Sequence, residues 1–263
     1  MTATLVALPA IALYLAAAVA LARPLFGTHA PMGRLAMSLA GIAVVLHAWL
    51  LLGRGTLDLH FFAALSLVAW GVSAITIGVN LSRPVAGLGI FIFPLAALFV
   101  ALDIFAAPMT APQPMDWQIK LHVTVALLAF SVLSIAAALA ILLAVQERAL
   151  RHRQVGTWMR ALPPLTLTET LLFRLIGAGF LLLTLTLLTG ILFVDNLFGQ
   201  HLIHKTVLSI IAWLVFGTLL IGRWRHGWRG RSAVNLTLVG MGVLLLAFFG
   251  TKAVLELILH RTP

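Results

Sequence analysis

The sequence has 263 residues, 62% of them hydrophobic and 9% charged, with a mean hydropathy of +1.12. Soluble domains run at about 45–50% apolar and about 25% charged, so a water-soluble globule is excluded. Seventeen Lys/Arg against seven Asp/Glu give a formal charge of +10, yet the basic residues sit in short gaps between long apolar runs, the mark of membrane topology and not of a nucleic-acid footprint.

A membrane-spanning helix needs about 20 mainly apolar residues. Eight stretches qualify, near 4–22, 34–52, 60–81, 85–107, 121–146, 172–194, 203–222 and 232–259. Backbone groups in lipid must be satisfied internally, and runs this continuously apolar do so as helices. The expected fold class is therefore all-α, a polytopic membrane protein with a single eight-helix transmembrane domain over 1–263. The first stretch lacks a basic leading region and runs into Arg23-Pro24, so it reads as a helix and not as a cleaved signal peptide. His47 lies late in the second stretch and His60 opens the third. Pro94 is the one proline expected inside a helix. Pro108, Pro112 and Pro114 predict an extended connection before Asp116-Trp117. His122 then opens the fifth stretch. The connection 147–171 carries Glu147-Arg148 and Pro163-Pro164 and is too short to be a domain. His201 and His204 open the seventh stretch, Arg223 to Arg231 form the densest basic run, and His260 closes the eighth. No internal repeat stands out beyond four helices in each half.

Alternating the connections between two sides places twelve Lys/Arg on one (Arg23, Arg34, Arg83, Arg148, Arg151, Arg153, Arg160, Arg174, Arg223, Arg225, Arg229, Arg231) and five on the other (Arg54, Lys120, Lys205, Lys252, Arg261). The basic side is expected in the cytoplasm. That makes 147–171 cytoplasmic and both termini periplasmic. The basic run suits an interfacial anchor with tryptophan, or a contact to anionic lipid headgroups.

Of nine histidines, His29, His152 and His226 fall on the cytoplasmic side, while His47, His60, His122, His201, His204 and His260 fall at or near external helix ends. Ionisable residues at membrane depth are costly and face the protein interior. A single one is readily explained as a hydrogen-bonded packing residue; six in one leaflet point to a ligand or cofactor. With no cysteine present, thiolate sites and iron–sulfur clusters are out, and two centres remain. Zinc suits imidazole, and His201 and His204 share a helical face. The carboxylates that would complete a divalent-metal path are few: Asp58, Asp103, Asp116, Asp195 and Glu256. Haem takes imidazole as an axial ligand, and bis-His ligation sets the two nitrogens about 4 Å apart at roughly 2 Å per bond. Histidines from different helices can meet that requirement. Trp49, Phe61, Phe62, Phe130, Trp213, Phe248 and Phe249 could wall a porphyrin or serve as ordinary packing. Lys205 could hold a propionate or reach the interface, and Lys252 and Glu256 are spaced to pair. Gly177, Gly179, Gly240 and Gly242 suit close helix packing.

Several strings carry a resemblance: Leu46-His47-Ala48-Trp49, Lys120-Leu121-His122-Val123, Gln146-Glu147-Arg148, Leu162-Pro163-Pro164 leading to Glu169, His204 to Ser209 with Ala212-Trp213, Gly227 to Arg231, and Phe249-Gly250. In this order the chain resembles the cytochrome c assembly superfamily of membrane haem handlers, and more closely its HemX/YpjD-like inner-membrane branch. In better understood relatives, external histidines flank a tryptophan-rich loop with a WWD signature that presents haem to apocytochrome c. The matching positions here are His122 for the first histidine, the 195–204 loop for the signature and, loosely, His260 for the second. The loop from Phe193 to His204 contains no tryptophan, and no loop is long enough for a large external domain. The resemblance thus implies haem handling in the bacterial inner membrane more than cytochrome c synthesis.

The resulting expectation is a haem-binding protein holding haem b in the outer half of the bundle. His47, His122 and His204 are the first candidate ligands to the iron, with His201, His260 and His60 in reserve and Lys205 beside them. The expected partners are haem, the bilayer and possible membrane or periplasmic proteins, with no nucleic acid and no covalent catalysis by the protein. Alternatives are a cofactor-free scaffold or regulatory partner and, behind it, a solute or metal transporter.

Overall fold

A computed structural model describes residues 2–23, 32–53, 60–106, 116–152, 162–193 and 203–250. Among them, eight helices are long and apolar enough to cross a membrane. They are α1 (Thr2–Ala22), α2 (Gly33–Leu52), α3 (Phe61–Ser82), α4 (Gly89–Phe105, entered through a 3₁₀ turn at Ala86–Leu88), α5 (Trp117–Arg151), α6 (Leu165–Phe193), α7 (Ile203–His226) and α8 (Arg231–Leu245). The all-α membrane architecture is as expected. The proline-rich connection at 108–114, the signature-matching loop at 195–202, His201, His260 and the Lys252–Glu256 pair lie outside the described residues.

The helix bounds differ from expectation in an informative way. Helix α5 has 35 residues and α6 has 29, so at 1.5 Å per residue they run about 52 and about 43 Å, past a hydrocarbon core of about 30 Å. Both carry on into the stretch expected to be a plain connection. Charged residues there (Glu147, Arg148, Arg151, Glu169) end the apolar run without ending the helix, because Glu and Arg are good helix formers. Pro9 lies inside α1 as Pro94 lies inside α4, so Pro94 is not alone. Pro9 sits in an apolar run whose helix begins at Thr2, and each proline leaves the carbonyl four residues earlier without its helical donor. At the other end of the chain, α8 closes with a π turn at Leu246–Gly250.

The helices form two compact units, Met1–Pro114 with Ala149–Pro164, and Met115–Arg148 with Leu165–Pro263. In the first, α1 packs on α2 and α4, and α3 packs on α2 and α4. Its centre is filled by Tyr14, Phe93 and small residues such as Ala7, Ala40 and Ala96, with the Tyr14 and Phe93 rings stacked at 6.0 Å. In the second, α7 packs against α6 and α8, and α5 meets α6 where Leu133 lies over Gly179. A Cβ at Gly179 would come 2.5 Å from Leu133, and one at Gly240 would come 2.9 Å from the Phe216 ring. Those two glycines therefore set close helix approaches. Gly177 and Gly242 meet nothing within 4 Å, so their lack of a side chain has no such packing role.

Candidate functional site

In the first unit the expected ligand His47 is a sealed residue. It is 1% exposed, with Nδ1 3.3 Å from the Tyr14 hydroxyl and Nε2 2.9 Å from Ser66 Oγ. These contacts tie α1, α2 and α3 together through one imidazole. An unpaired polar group at this depth costs at least about 1–3 kcal/mol, so the string Tyr14–His47–Ser66 holds three helices in one arrangement. His60 caps α3, its Nδ1 accepting from the Ala63 N–H at 3.0 Å, and its Nε2 lies 3.7 Å from Oδ1 of the buried Asp103 on α4. Both ring nitrogens of each histidine are thus engaged inside this unit.

His122, near the start of α5, is placed differently. It is half-buried, and its Nδ1 lies 3.0 Å from Thr189 Oγ1 on α6. The Thr189 hydroxyl has a single proton, which faces the carbonyls of Leu185 and Thr186 at 2.9 and 3.0 Å. With that proton given to either carbonyl, the threonine oxygen accepts and His122 Nδ1 carries the hydrogen. In that tautomer Nε2 presents a lone pair. Imidazoles that ligate metal are held in this way, the second nitrogen donating to a neighbour.

Aromatic rings stand at both sides of the same helices. Trp117 meets Phe193 edge-on at 6.0 Å, and Phe130 meets Phe248 and Phe249 at 5.3 and 5.4 Å. Further along, Trp213 stacks on Phe180 at 5.3 Å while its Nε1 donates to Thr184 Oγ1 at 2.9 Å. His204 is exposed in the first turn of α7, with Lys205 partly buried beside it. Among the described residues no three His, Asp or Glu side chains are grouped to hold a bare metal ion. The donor set of the second unit instead suits a centre that needs single imidazoles and flat apolar walls.

The opposite end of the second unit is built from charge. Glu169 accepts from Arg223 at 2.8 Å, with Arg229 Nε 3.5 Å away. Arg223 also donates to the Trp228 carbonyl and lies 4.5 Å over the Phe173 ring. Gly230 adopts φ +52°, and a Cβ there would come 2.7 Å from Glu147 Oε1. Trp228 packs over Gly222 where a side chain would stand. Glu147, Glu169 and the Gly227–Arg231 string, far apart in sequence, are therefore one assembly.

Residues 32–259 match the sequence pattern of the family described as "Cytochrome C assembly protein". The chain belongs to the cytochrome c assembly protein family. It is 39% identical over 137 residues to the "Inner membrane protein YpjD" of Escherichia coli strain K12, 52% of each chain being covered. It is 35% identical over 143 residues to an "Uncharacterized 28.8 kDa protein in nifR3-like 5'region" of Azospirillum brasilense, covering 54% of this chain and 53% of that one. The match thus spans about half the length of each of these relatives. The "Cytochrome c biogenesis protein CcsA" of Synechococcus sp. strain JA-3-3Ab is 26% identical over 282 residues, covering 84% of this chain and 81% of that one. No solved structure matches the chain. Its eight apolar helices and these relatives make this family member a multi-pass protein of the bacterial inner membrane.

Within the family member, four partners of the expected histidines were not singled out from sequence as such: Tyr14, Ser66, Asp103 and Thr189. Tyr14 carried the best signal, being the one tyrosine in the chain and lying inside an apolar run. Thr189 carried none, because α6 holds threonines throughout its length.

Proposed function

We propose that this protein binds haem in the second unit and handles it for cytochrome c assembly, with His122 Nε2 as an axial ligand to the iron. The observation that carries the reading is the Thr189 contact, which supports the tautomer with the hydrogen on Nδ1 and the lone pair on Nε2. Family membership supports the same reading, since the Synechococcus relative is named for cytochrome c biogenesis. Haem, when bound, would supply an iron that imidazole can ligate. His204 on α7 is the proposed second ligand, with His201 and His260 behind it and Lys205, next in sequence, as the proposed contact to a propionate. His47 and His60 rank after these, because ligation there would have to displace a hydrogen bond at His47, or at His60 the approach to Asp103 or the capping bond. The haem b form, and the periplasmic location of the histidine ends and both termini, are part of the proposal; the latter rests on the twelve-to-five split of basic residues.

In this reading the chain's own residues do three things. Thr189 orients the imidazole, the ring pairs around Phe130 and Trp117 exclude water, and the α5–α6 packing at Gly179 holds the donor at fixed depth. The test is the visible spectrum of the detergent-purified protein from haem-replete cells. A Soret band that shifts or vanishes in His122→Ala is expected. A monodisperse protein with no Soret band would overturn the proposal and leave a cofactor-free scaffold.

A further inference from the structure

The charged end of the second unit has a part that folding does not use. Arg223 is spent on Glu169, the Trp228 carbonyl and the Phe173 ring. Arg225 at the end of α7 and Arg231 at the start of α8 are exposed, and the Arg229 side chain is 71% exposed despite its contact with Glu169. The nearby carboxylates, Glu147 and Glu169, are turned inward, one against Gly230 and the other onto Arg223. The arginines of the turn are thus left largely uncompensated.

A second observation sets their depth. Trp224, between Arg223 and Arg225, is 82% exposed. In a protein shown to cross the membrane, an outward indole at the end of a spanning helix lies at the level of the headgroups. Arg225 beside it, and Arg229 and Arg231 across the turn that follows, are then at the level of the lipid phosphates. The turn is also packed down: Trp228 is wedged over Gly222 and its carbonyl accepts from Arg223. A guanidinium offers a planar fork to a phosphate, and the packed turn with the two helix ends it joins presents three of them.

We propose that Arg225, Arg229 and Arg231, with Trp224 as the interfacial marker, form a docking site for the phosphodiester headgroup of an anionic phospholipid. The site is independent of haem, so it stands or falls on its own measurement. The full chain in a zwitterionic detergent is titrated with phosphatidylglycerol, with phosphatidylcholine and with water-soluble glycerol phosphate, and thermal unfolding is followed. Phosphatidylglycerol alone is expected to raise the melting temperature. The triple variant Arg225→Gln/Arg229→Gln/Arg231→Gln should weaken the apparent affinity on the order of a hundredfold, taking about 1 kcal/mol for each arginine near an anionic surface. The Arg→Lys triple, which keeps the charge, should retain most of it and guards against a folding defect. An unchanged response in the glutamine triple overturns the site. An equal response to phosphatidylcholine removes the charge argument. An equal response to glycerol phosphate makes it a soluble-phosphate site and overturns the lipid assignment.

Discussion

His47 and His122 are both imidazoles on apolar helices, and the structure gives them different surroundings. His47 has hydroxyls on both nitrogens and almost no exposure. His122 has a hydroxyl on Nδ1, one whose proton has the Leu185 and Thr186 carbonyls in reach, and is half-buried. Membrane depth alone therefore does not identify a ligand. What separates a structural histidine from a donor is whether its second nitrogen is already engaged, and that depends on neighbours from other helices.

Replacement by alanine should split the two sharply. His122→Ala is expected to abolish or shift the haem absorption while changing the unfolding free energy by less than about 1 kcal/mol, as is usual for partly exposed side chains. His47→Ala should leave the Tyr14 and Ser66 hydroxyls without their imidazole and open a cavity. It is expected to cost about 3 kcal/mol while the spectrum of the protein that does fold keeps its band. A lost band with full stability in the His47 variant would reverse the assignment. Both are read on one detergent sample by absorption and thermal unfolding.

The next test acts on the orientation of the donor. Thr189→Val preserves shape and removes the oxygen that accepts from Nδ1. Partners of ligating histidines are worth about 10–100-fold in affinity, so haem titration of the variant should show a loss in that range. Thr189→Ser, which keeps the oxygen, should restore most of it. If valine binds haem as well as threonine does, the tautomer argument fails even though His122 could still be a ligand.

How much of this could be read from the sequence follows from the range of the forces involved. Eight apolar runs announce eight helices because each must be satisfied within its own segment. The extension of α5 and α6 past the bilayer was hidden, since charged residues there end the hydropathy signal but continue the helix. The six histidines were visible as a set. Their ranking was not, because Tyr14 and Ser66 lie 33 and 19 residues from His47 and Thr189 lies 67 from His122. Glycine spacing likewise failed to tell Gly179, which admits Leu133, from Gly177, which admits nothing.

The charged end of the second unit offers the mildest perturbation and the finest resolution. Glu169 is the acceptor for Arg223 at 2.8 Å and is mostly buried, whereas Arg229 approaches it from a position 71% exposed. Removing the carboxylate charge in Glu169→Gln leaves a largely enclosed guanidinium without its counter-ion, which is expected to cost about 1–3 kcal/mol. Arg229→Gln removes a contact screened by solvent, and exposed pairs contribute about 0–1 kcal/mol. Thermal unfolding of the two variants in the same detergent should therefore rank Glu169→Gln clearly below Arg229→Gln, with the haem spectrum unmoved in both. Equal losses would mean that Arg229 takes part in holding the turn. It would then have to be withdrawn from the arginines left free to face lipid, leaving Arg225 and Arg231 to carry that contact.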